Sequence, residues 1–173
     1  LLGHCIHMND RELGVMQETG SVAVFCPTSN LFLGSGLFDK KRTEEAGIKT
    51  SIATDIGGGT SYSMLRTLDE GYKVLQLQRQ RLHPLETFYW ATLGNAKALS
   101  LSEKIGSLDV GTDADIVVLN AKATRPMALR METAETLSEE LFVLQTLGDD
   151  RSVVETYVAG VPQKPADLDA VGL

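Results

Sequence analysis

Two residues that could take part in metal or proton chemistry lie where apolar segments end. His4 is near the end of the first apolar segment, and Asp55 directly follows the third. An imidazole can exchange a proton near neutral pH, and a carboxylate can bind a metal ion or accept a proton. His4 could instead be a hydrogen-bonded core residue, and Asp55 could cap the helix that follows it. Both readings stay open on the residue types alone.

The second apolar segment is followed by small polar residues. Ser29 and Asn30 could line a pocket for a small molecule, or they could fix a loop through hydrogen bonds to their own backbone. The glycines at residues 57–59 lack the spacing of a phosphate-binding loop, so phosphate binding is not expected. His7 and His83 lie at or beyond the ends of predicted elements, and we assign them no role.

The elements that must position these residues alternate between strand and helix. Apolar runs at residues 1–6, 21–25 and 48–54 predict three strands, and helices are expected near residues 10–19 and 38–46. Near-continuous apolar strands joined by helices are typical of a parallel sheet. Because the carboxyl ends of parallel strands share one edge, we expect His4 and Asp55 to face the same end. Residues 28–36 are rich in Ser, Asn and Gly and are predicted to form a loop.

The pattern of the remaining residues predicts two long helices followed by a β-rich module. Apolar residues three and four apart favour a helix over residues 62–80, and a proline opens another over residues 84–99. Beyond residue 100 we expect strands at residues 115–119 and 153–161, the second with a turn at Gly160, and a charged helix at residues 137–147 between them. This tail is interpreted as a small β-rich module attached to the α/β part.

Composition limits the class of protein. The chain has 173 residues and a net charge of −7, so it lacks the basic surface that binds nucleic acid. No apolar run approaches the ~20 residues of a membrane span, and no signal peptide is recognised. Cys5 and Cys26 form no CxxC pair and are expected to be free thiols in a reducing cytoplasm. The chain opens on a buried-type strand, so we expect further residues to precede Leu1.

Three of these segments together resemble the guanine deaminases of the amidohydrolase family. They are GHC at residues 3–5, CPTSNLFLGSG at residues 26–36 and TDIGGGTS at residues 54–61. The second of them separates guanine deaminases from other amidohydrolases better than any single residue. A broader amidohydrolase pattern is found in ATLGNAKAL at residues 91–99 and GSLDVGTDADIVVL at residues 106–119.

The resemblance implies a fold of the α/β class. Residues 1–100 would be the C-terminal portion of a (β/α)8 TIM-type barrel, with its last three strands. Residues 101–173 would be the C-terminal part of a small β-sandwich domain. The His-x-His pair, the fifth-strand His and the Glu that follows it in this family are not in this sequence.

The resemblance also implies an activity, the conversion of guanine and water to xanthine and ammonia by zinc-activated water. Asp55 would be a catalytic zinc ligand, His4 a catalytic hydrogen-bonding partner of the attacking hydroxide, and Ser29 and Asn30 substrate-binding residues. The intact enzyme would be a cytoplasmic homodimer, and this chain by itself is expected to be inactive. Two alternatives stay open, namely another amidohydrolase (an aminopurine deaminase or a chlorohydrolase) and a non-catalytic structural fragment.

Overall fold

The computed structural model describes residues 1–164, and its first part is built on a parallel sheet. The strands are β1 (Leu2–Gly3), β2 (Val22–Phe25) and β3 (Lys49–Ile52), in the order β1-β2-β3. Both pairings are parallel, which confirms the three adjacent strands expected from the apolar runs. β1 is shorter than the predicted run of residues 1–6 because His4 and Cys5 have positive φ angles, which end the extended conformation. β3 ends at Ile52, two residues before the end of its predicted run.

Helices connect and cover these strands. They are α1 (Asp10–Glu18), α2 (Pro27–Phe32), α3 (Lys40–Glu45), α4 (Met64–Leu77), α5 (Pro84–Tyr89) and α6 (Asn95–Ala98). A π-helical segment, Trp90–Gly94, joins α5 to α6 without a break, so the long helix predicted over residues 84–99 is present and contains a π-helical turn. Asn9 caps α1 in a reciprocal capping box with Glu12. No helix within residues 1–164 is long and apolar enough to cross a membrane.

The loop predicted over residues 28–36 is wrong for its first half, which forms α2. Pro27 occupies the first turn, where its missing N–H leaves no helical hydrogen bond unmade. Ser29 and Asn30 are almost fully buried, and among the described residues neither side chain bonds the helix backbone, since Ser29 Oγ is unpaired and the Asn30 amide faces His4. Burial by tertiary packing therefore outweighs the low helix propensity of Ser and Asn.

An aromatic stack lies at the centre of the core. The ring of Phe25 on β2 lies 4.8 Å from that of Phe38 and 5.9 Å from that of Trp90, measured between centroids. Leu68 and Leu75 of α4, which belong to the apolar spacing that predicted this helix, are 2% and 1% exposed. This core lies beneath the sheet and fixes the strand ends that carry the polar residues.

The tail contains the predicted small sheet and one helix that the sequence did not suggest. Strands β4 (Ile116–Leu119), β5 (Val153–Val158) and β6 (Val161–Pro162) pair antiparallel. Helix α7 (Arg125–Met131) was not predicted, whereas α8 (Leu137–Leu147) matches its predicted range. The turn expected at Gly160 is confirmed, and with Ala159, which also has positive φ, it folds residues 153–162 into the hairpin β5–β6. Helix α8 packs on α4 and α5, with Phe142 edge-on to Tyr72.

Candidate active site at the carboxyl ends of the parallel strands

His4 and Asp55 meet at one edge of the parallel sheet, although β2 lies between their strands. The Nε2 atom of His4 is 3.8 Å from the Oδ2 atom of Asp55, and both side chains are partly exposed. Both residues have positive φ, 70° for His4 and 50° for Asp55. Such angles are uncommon outside glycine and are often found at functional sites. The predicted approach of these two side chains is confirmed.

The other nitrogen of His4 is held by Asn30. The Nδ2 atom of Asn30 lies 2.9 Å from Nδ1 of His4, and the Asn30 side chain is buried in α2. If the amide donates, Nδ1 is the acceptor and the neutral ring carries its proton on Nε2, which faces Asp55. Asn30, in the helix that follows β2, thereby orients the side chain of His4, which follows β1.

Cys26 completes a group of three different donors. One ligand atom from each of His4, Cys26 and Asp55 lies within 4.8 Å of the others. Cys26 directly follows β2 and is buried. Burial, together with the nearby Asp55 carboxylate and Cys5, raises the pKa of its thiol to about 11, although a backbone hydrogen bond from His4 acts to lower it. Without a cation beside it, Cys26 is therefore a neutral thiol at physiological pH.

Two buried polar atoms beside this group have no hydrogen-bond partner among the described residues. They are Oγ of Ser29 and Oδ1 of Asn30. A Cβ placed on Gly58 would lie 2.8 Å from Ser29 Oγ and 3.2 Å from Asp55 Oδ2, so glycine is required there to leave space between them. Buried polar groups are normally paired, and these two indicate a place for a bound molecule or water.

The glycine run after Asp55 shapes the floor of the site. The N–H of Gly59 donates to the carbonyl of Asp55 at 2.5 Å, and the hydroxyl of Thr28 donates to the carbonyl of Thr54 at 3.1 Å. A side chain on Gly59 would overlap the Thr54 carbonyl and approach Thr28 Oγ1 at 2.8 Å. The run therefore allows a tight turn that aims Asp55 at His4. Asp55 does not cap α4, which Ser63 caps instead.

All four predicted site residues lie in this region, and one further residue was missed. His4, Asp55 and Asn30 are brought together directly, and Ser29 lies beside them. Cys26 had been interpreted only as a buried thiol, although its position directly after a strand could have drawn attention to it. Outside the group, His7 donates to the Ser35 carbonyl at 2.7 Å and His83 caps α5.

Similarity to known proteins indicates the family to which this chain belongs. Residues 1–162 match the amidohydrolase family. The chain is 49% identical over 160 residues to the guanine deaminase of Escherichia coli (strain K12), covering 92% of this chain and 36% of that protein. The chain thus spans little more than a third of that relative's length.

Solved structures agree with the sequence comparison. The E. coli guanine deaminase superposes with a TM-score of 0.92 at 48% identity, over 95% of this chain and 39% of that one. A guanine deaminase from C. acetobutylicum, with guanine bound in its active site, gives 0.79 at 30% identity, over 92% and 38%. An adenosine deaminase from Xanthomonas campestris with bound zinc gives 0.76 at 24% identity, over 98% and 39%, and indicates the fold alone.

Proposed function

This chain belongs to the amidohydrolase family, and from that premise we propose that it is the C-terminal part of a guanine deaminase. The observation that carries the proposal is the 3.8 Å approach of His4 and Asp55 beside two unpaired buried polar atoms, those of Ser29 and Asn30. A proton-exchanging pair next to unsatisfied polar groups suits hydrolysis of a small polar heterocycle.

The architecture follows from the same premise. We propose that β1, β2 and β3 are the last three strands of a (β/α)8 barrel formed by residues 1–100 together with sequence outside this chain. Residues 101–173 would belong to a β-sandwich domain, of which residues 165–173 lie outside the described part. The parallel pairing and the site at the carboxyl ends of the strands support the barrel, because TIM-barrel enzymes carry their active sites there.

Zinc is the proposed metal, and the residues present fit part of its coordination shell. Asp55 supplies a partly exposed carboxylate, and the nitrogen and sulfur donors of His4 and Cys26 lie within 4.8 Å of it. In the proposed enzyme Asp55 is a metal ligand, and the remaining ligands come from outside this chain. When bound, the metal would supply activated water at neutral pH.

Asp55 and His4 would divide the proton chemistry. The water oxygen attacks the guanine carbon that bears the exocyclic amine, and a carboxylate oxygen of Asp55 accepts the proton that the water loses. His4, with Nδ1 occupied by Asn30, would donate a hydrogen bond from Nε2 to the incoming oxygen. The carbon–nitrogen bond would then break, with one of the water's two protons ending on the departing ammonia and the other on the adjacent ring nitrogen. Xanthine and ammonia account for all atoms of guanine and water.

Ser29 and Asn30 would recognise the purine. Ser29 Oγ and Asn30 Oδ1 have no partner among the described residues, and leaving them so would cost about 1–3 kcal/mol each. A polar edge of guanine can supply the missing hydrogen bonds. The free thiols Cys5 and Cys26 support a reducing, cytoplasmic compartment. A homodimer is proposed on the family resemblance.

The function is tested with the complete enzyme, by following xanthine and ammonia released from guanine, adenine and a chlorinated triazine. We expect guanine to be the preferred substrate. Asp55→Ala should abolish turnover and lower the metal content, whereas His4→Ala should lower kcat about 10–100-fold with the metal retained. Asp113→Ala, an exposed carboxylate in the tail, is the control and should leave both unchanged. Equal metal loss in the first two variants would refute the assigned roles, and preference for another substrate would refute the activity.

A further inference from the structure

The side chain of Asn95 binds the main chain of β3 at its last residue. Its Oδ1 atom accepts from the Ile52 N–H at 2.9 Å, and its Nδ2 atom donates to the Ile52 carbonyl, also at 2.9 Å. Asn95 belongs to α6, 43 positions further along the chain. A side-chain amide carries one acceptor and one donor, as a peptide group does. Asn95 thus makes at Ile52 the two hydrogen bonds that a neighbouring strand would otherwise make.

These two bonds occupy the edge of β3 that faces away from β2. Ala53 donates to the Phe25 carbonyl of β2 at 2.9 Å, and successive residues of a strand direct their backbone groups to opposite edges. Ile52 therefore directs its N–H and carbonyl to the outer edge, where Asn95 takes both. A strand laid against this edge can pair with Thr50, the preceding residue that faces outward, but not with Ile52. Strand pairing on this edge therefore ends before residues 53–55.

A π-helical turn sets the direction of Asn95. The turn, Trp90–Gly94, directly precedes Asn95, and it takes up one residue more than an α-helical turn does. The residues after it are therefore rotated by about 100° around the helix axis, compared with an uninterrupted α-helix. The buried ring of Trp90 stacks on Phe25 of β2, which fixes the start of the turn to the sheet. Single π-helical turns are frequent at functional sites, and this one directs an amide to the strand that leads to Asp55.

The end of β3 is held from both sides before the chain turns at Asp55. Two residues separate Ile52 from Asp55, and the carbonyl of the second, Thr54, accepts from the Thr28 hydroxyl of α2 at 3.1 Å. That bond holds the strand end from the β2 side, and Asn95 holds it from the outer edge. A strand end held on both edges can neither slide nor twist, so the direction in which Asp55 leaves it is fixed.

We propose that Asn95 is a positioning residue for Asp55. Its amide closes the outer edge of β3 at Ile52, ends strand pairing there, and fixes the strand end from which Asp55 reaches the site. The role of Asp55 as a metal ligand in this inference rests on the proposed function. Asn95 itself touches neither the substrate nor the metal in this scheme, and it acts through the backbone of Ile52.

The test compares Asn95→Leu with the wild type in the complete enzyme. Leucine has a similar volume but neither a donor nor an acceptor, so both bonds to Ile52 are lost. We expect amide hydrogen exchange at Ile52 to accelerate and zinc binding to the metal-free enzyme to weaken at least tenfold. We also expect kcat to fall about 10–100-fold with KM changed less than about twofold, because the residues proposed to recognise guanine are not displaced.

Gln80→Met is the matched control. The Gln80 amide also makes two hydrogen bonds, since it accepts from the Lys41 N–H at 3.0 Å and donates to the Asp39 carboxylate at 2.8 Å. Like Asn95 it is partly buried, but its partners lie in and beside α3 rather than at the end of β3. We expect a similar fall in Tm in both variants, with zinc affinity and kcat unchanged in Gln80→Met. The comparison separates lost stability from lost positioning.

Asn95→Asp covers the case in which Asn95→Leu does not fold. A carboxylate accepts from the Ile52 N–H but cannot donate to the Ile52 carbonyl, whereas a protonated carboxyl does both. We expect zinc affinity, compared with the wild type at the same pH, to be lowered near pH 7 and to recover towards about pH 5.

Three results would overturn the proposal. They are wild-type zinc affinity in folded Asn95→Leu, a loss of affinity no larger than that in Gln80→Met, and a deficit in Asn95→Asp that does not diminish at lower pH. If the complete enzyme released no ammonia from guanine, the proposed function would fail. The zinc and hydrogen-exchange measurements would still test the role of Asn95, because neither depends on turnover.

Discussion

Asn30 is the residue through which helix α2 acts on the candidate site. Its side chain is 1% exposed, and its amide nitrogen lies 2.9 Å from Nδ1 of His4. An amide N–H can donate to an imidazole nitrogen that carries no proton. In the proposed enzyme, Asn30 therefore sets which nitrogen of His4 carries the proton and points that nitrogen at Asp55.

Exchange of this amide for a carboxylate tests the role of Asn30. Asn30→Asp has nearly the same shape, but it accepts from Nδ1 and favours the protonated ring. We expect kcat of the complete enzyme to fall about 10–100-fold, its pH–rate profile to change shape, and metal content to stay constant. Asn120→Asp, the same change at a residue whose side chain accepts from the Lys122 N–H, is the control. An unchanged pH–rate profile in Asn30→Asp would argue for a merely structural role.

At the level of the elements, Lys40 ties α3 to α5. Its Nζ atom lies 2.8 Å from carboxylate oxygens of both Glu44 and Glu86, and 5.3 Å from the centre of the Trp90 ring. Burial by itself lowers the pKa of Lys40, but the hydrogen bonds and the charges of the two glutamates raise it more, so the net pKa lies above 10.5. The folded state therefore holds the proton of Lys40 more tightly than the unfolded state does.

This raised pKa determines how stability should depend on pH. The contribution of Lys40 is fully present below pH 10.5, the unfolded value, and is lost as pH rises through the higher folded value. We expect Lys40→Met to lower Tm by a constant amount between about pH 7 and 9, and by less above about pH 11. Lys41→Met is the control, since Lys41 and Glu45 are exposed and 3.7 Å apart, and it should have little effect at any pH. A Tm difference that grew at high pH would contradict the assignment.

The whole molecule exposes apolar surface and strand edges. Strand β1 has one neighbour, so its outer edge is open within the described residues. The outer edge of β3 is less open than its position suggests, because the Asn95 amide bonds both the N–H and the carbonyl of Ile52 at 2.9 Å. In the tail, exposed valines lie along the antiparallel strands, among them Val117, Val154, Val158 and Val161. Such surface favours association.

We expect the isolated 173-residue chain to self-associate and to release no ammonia from guanine. The exposed strand edge and valines drive the association, and one family metal ligand is too few for a catalytic zinc site. Size-exclusion chromatography with light scattering measures the first outcome, and an ammonia assay measures the second, with the complete enzyme as the positive control. A monodisperse monomer with a cooperative melt, or ammonia release above a metal-free blank, would contradict these expectations.

Much of the fold followed from local pattern. Apolar runs and helical spacing predicted β1 to β3, α4 and α8, because burial imposes its periodicity directly on the residues of an element. The meeting of His4 and Asp55 was also predictable, since parallel strands bring their carboxyl ends to one edge. The family pattern around residues 26–36 and 54–61 identified the segments that carry the site, although it did not identify their conformation.

Other features depended on contacts between residues far apart in the chain. Asn30 reaches His4 across 26 positions and Asn95 reaches Ile52 across 43. The helical conformation of Ser29 and Asn30, and the entry of Cys26 into the donor group, arise in the same way. Local propensity favours a loop at Ser and Asn, and only packing against the sheet reverses it. The sequence thus determined which residues end the strands, whereas the tertiary structure decided which of their atoms meet, because side-chain direction and the sign of φ depend on neighbours that the local sequence does not contain.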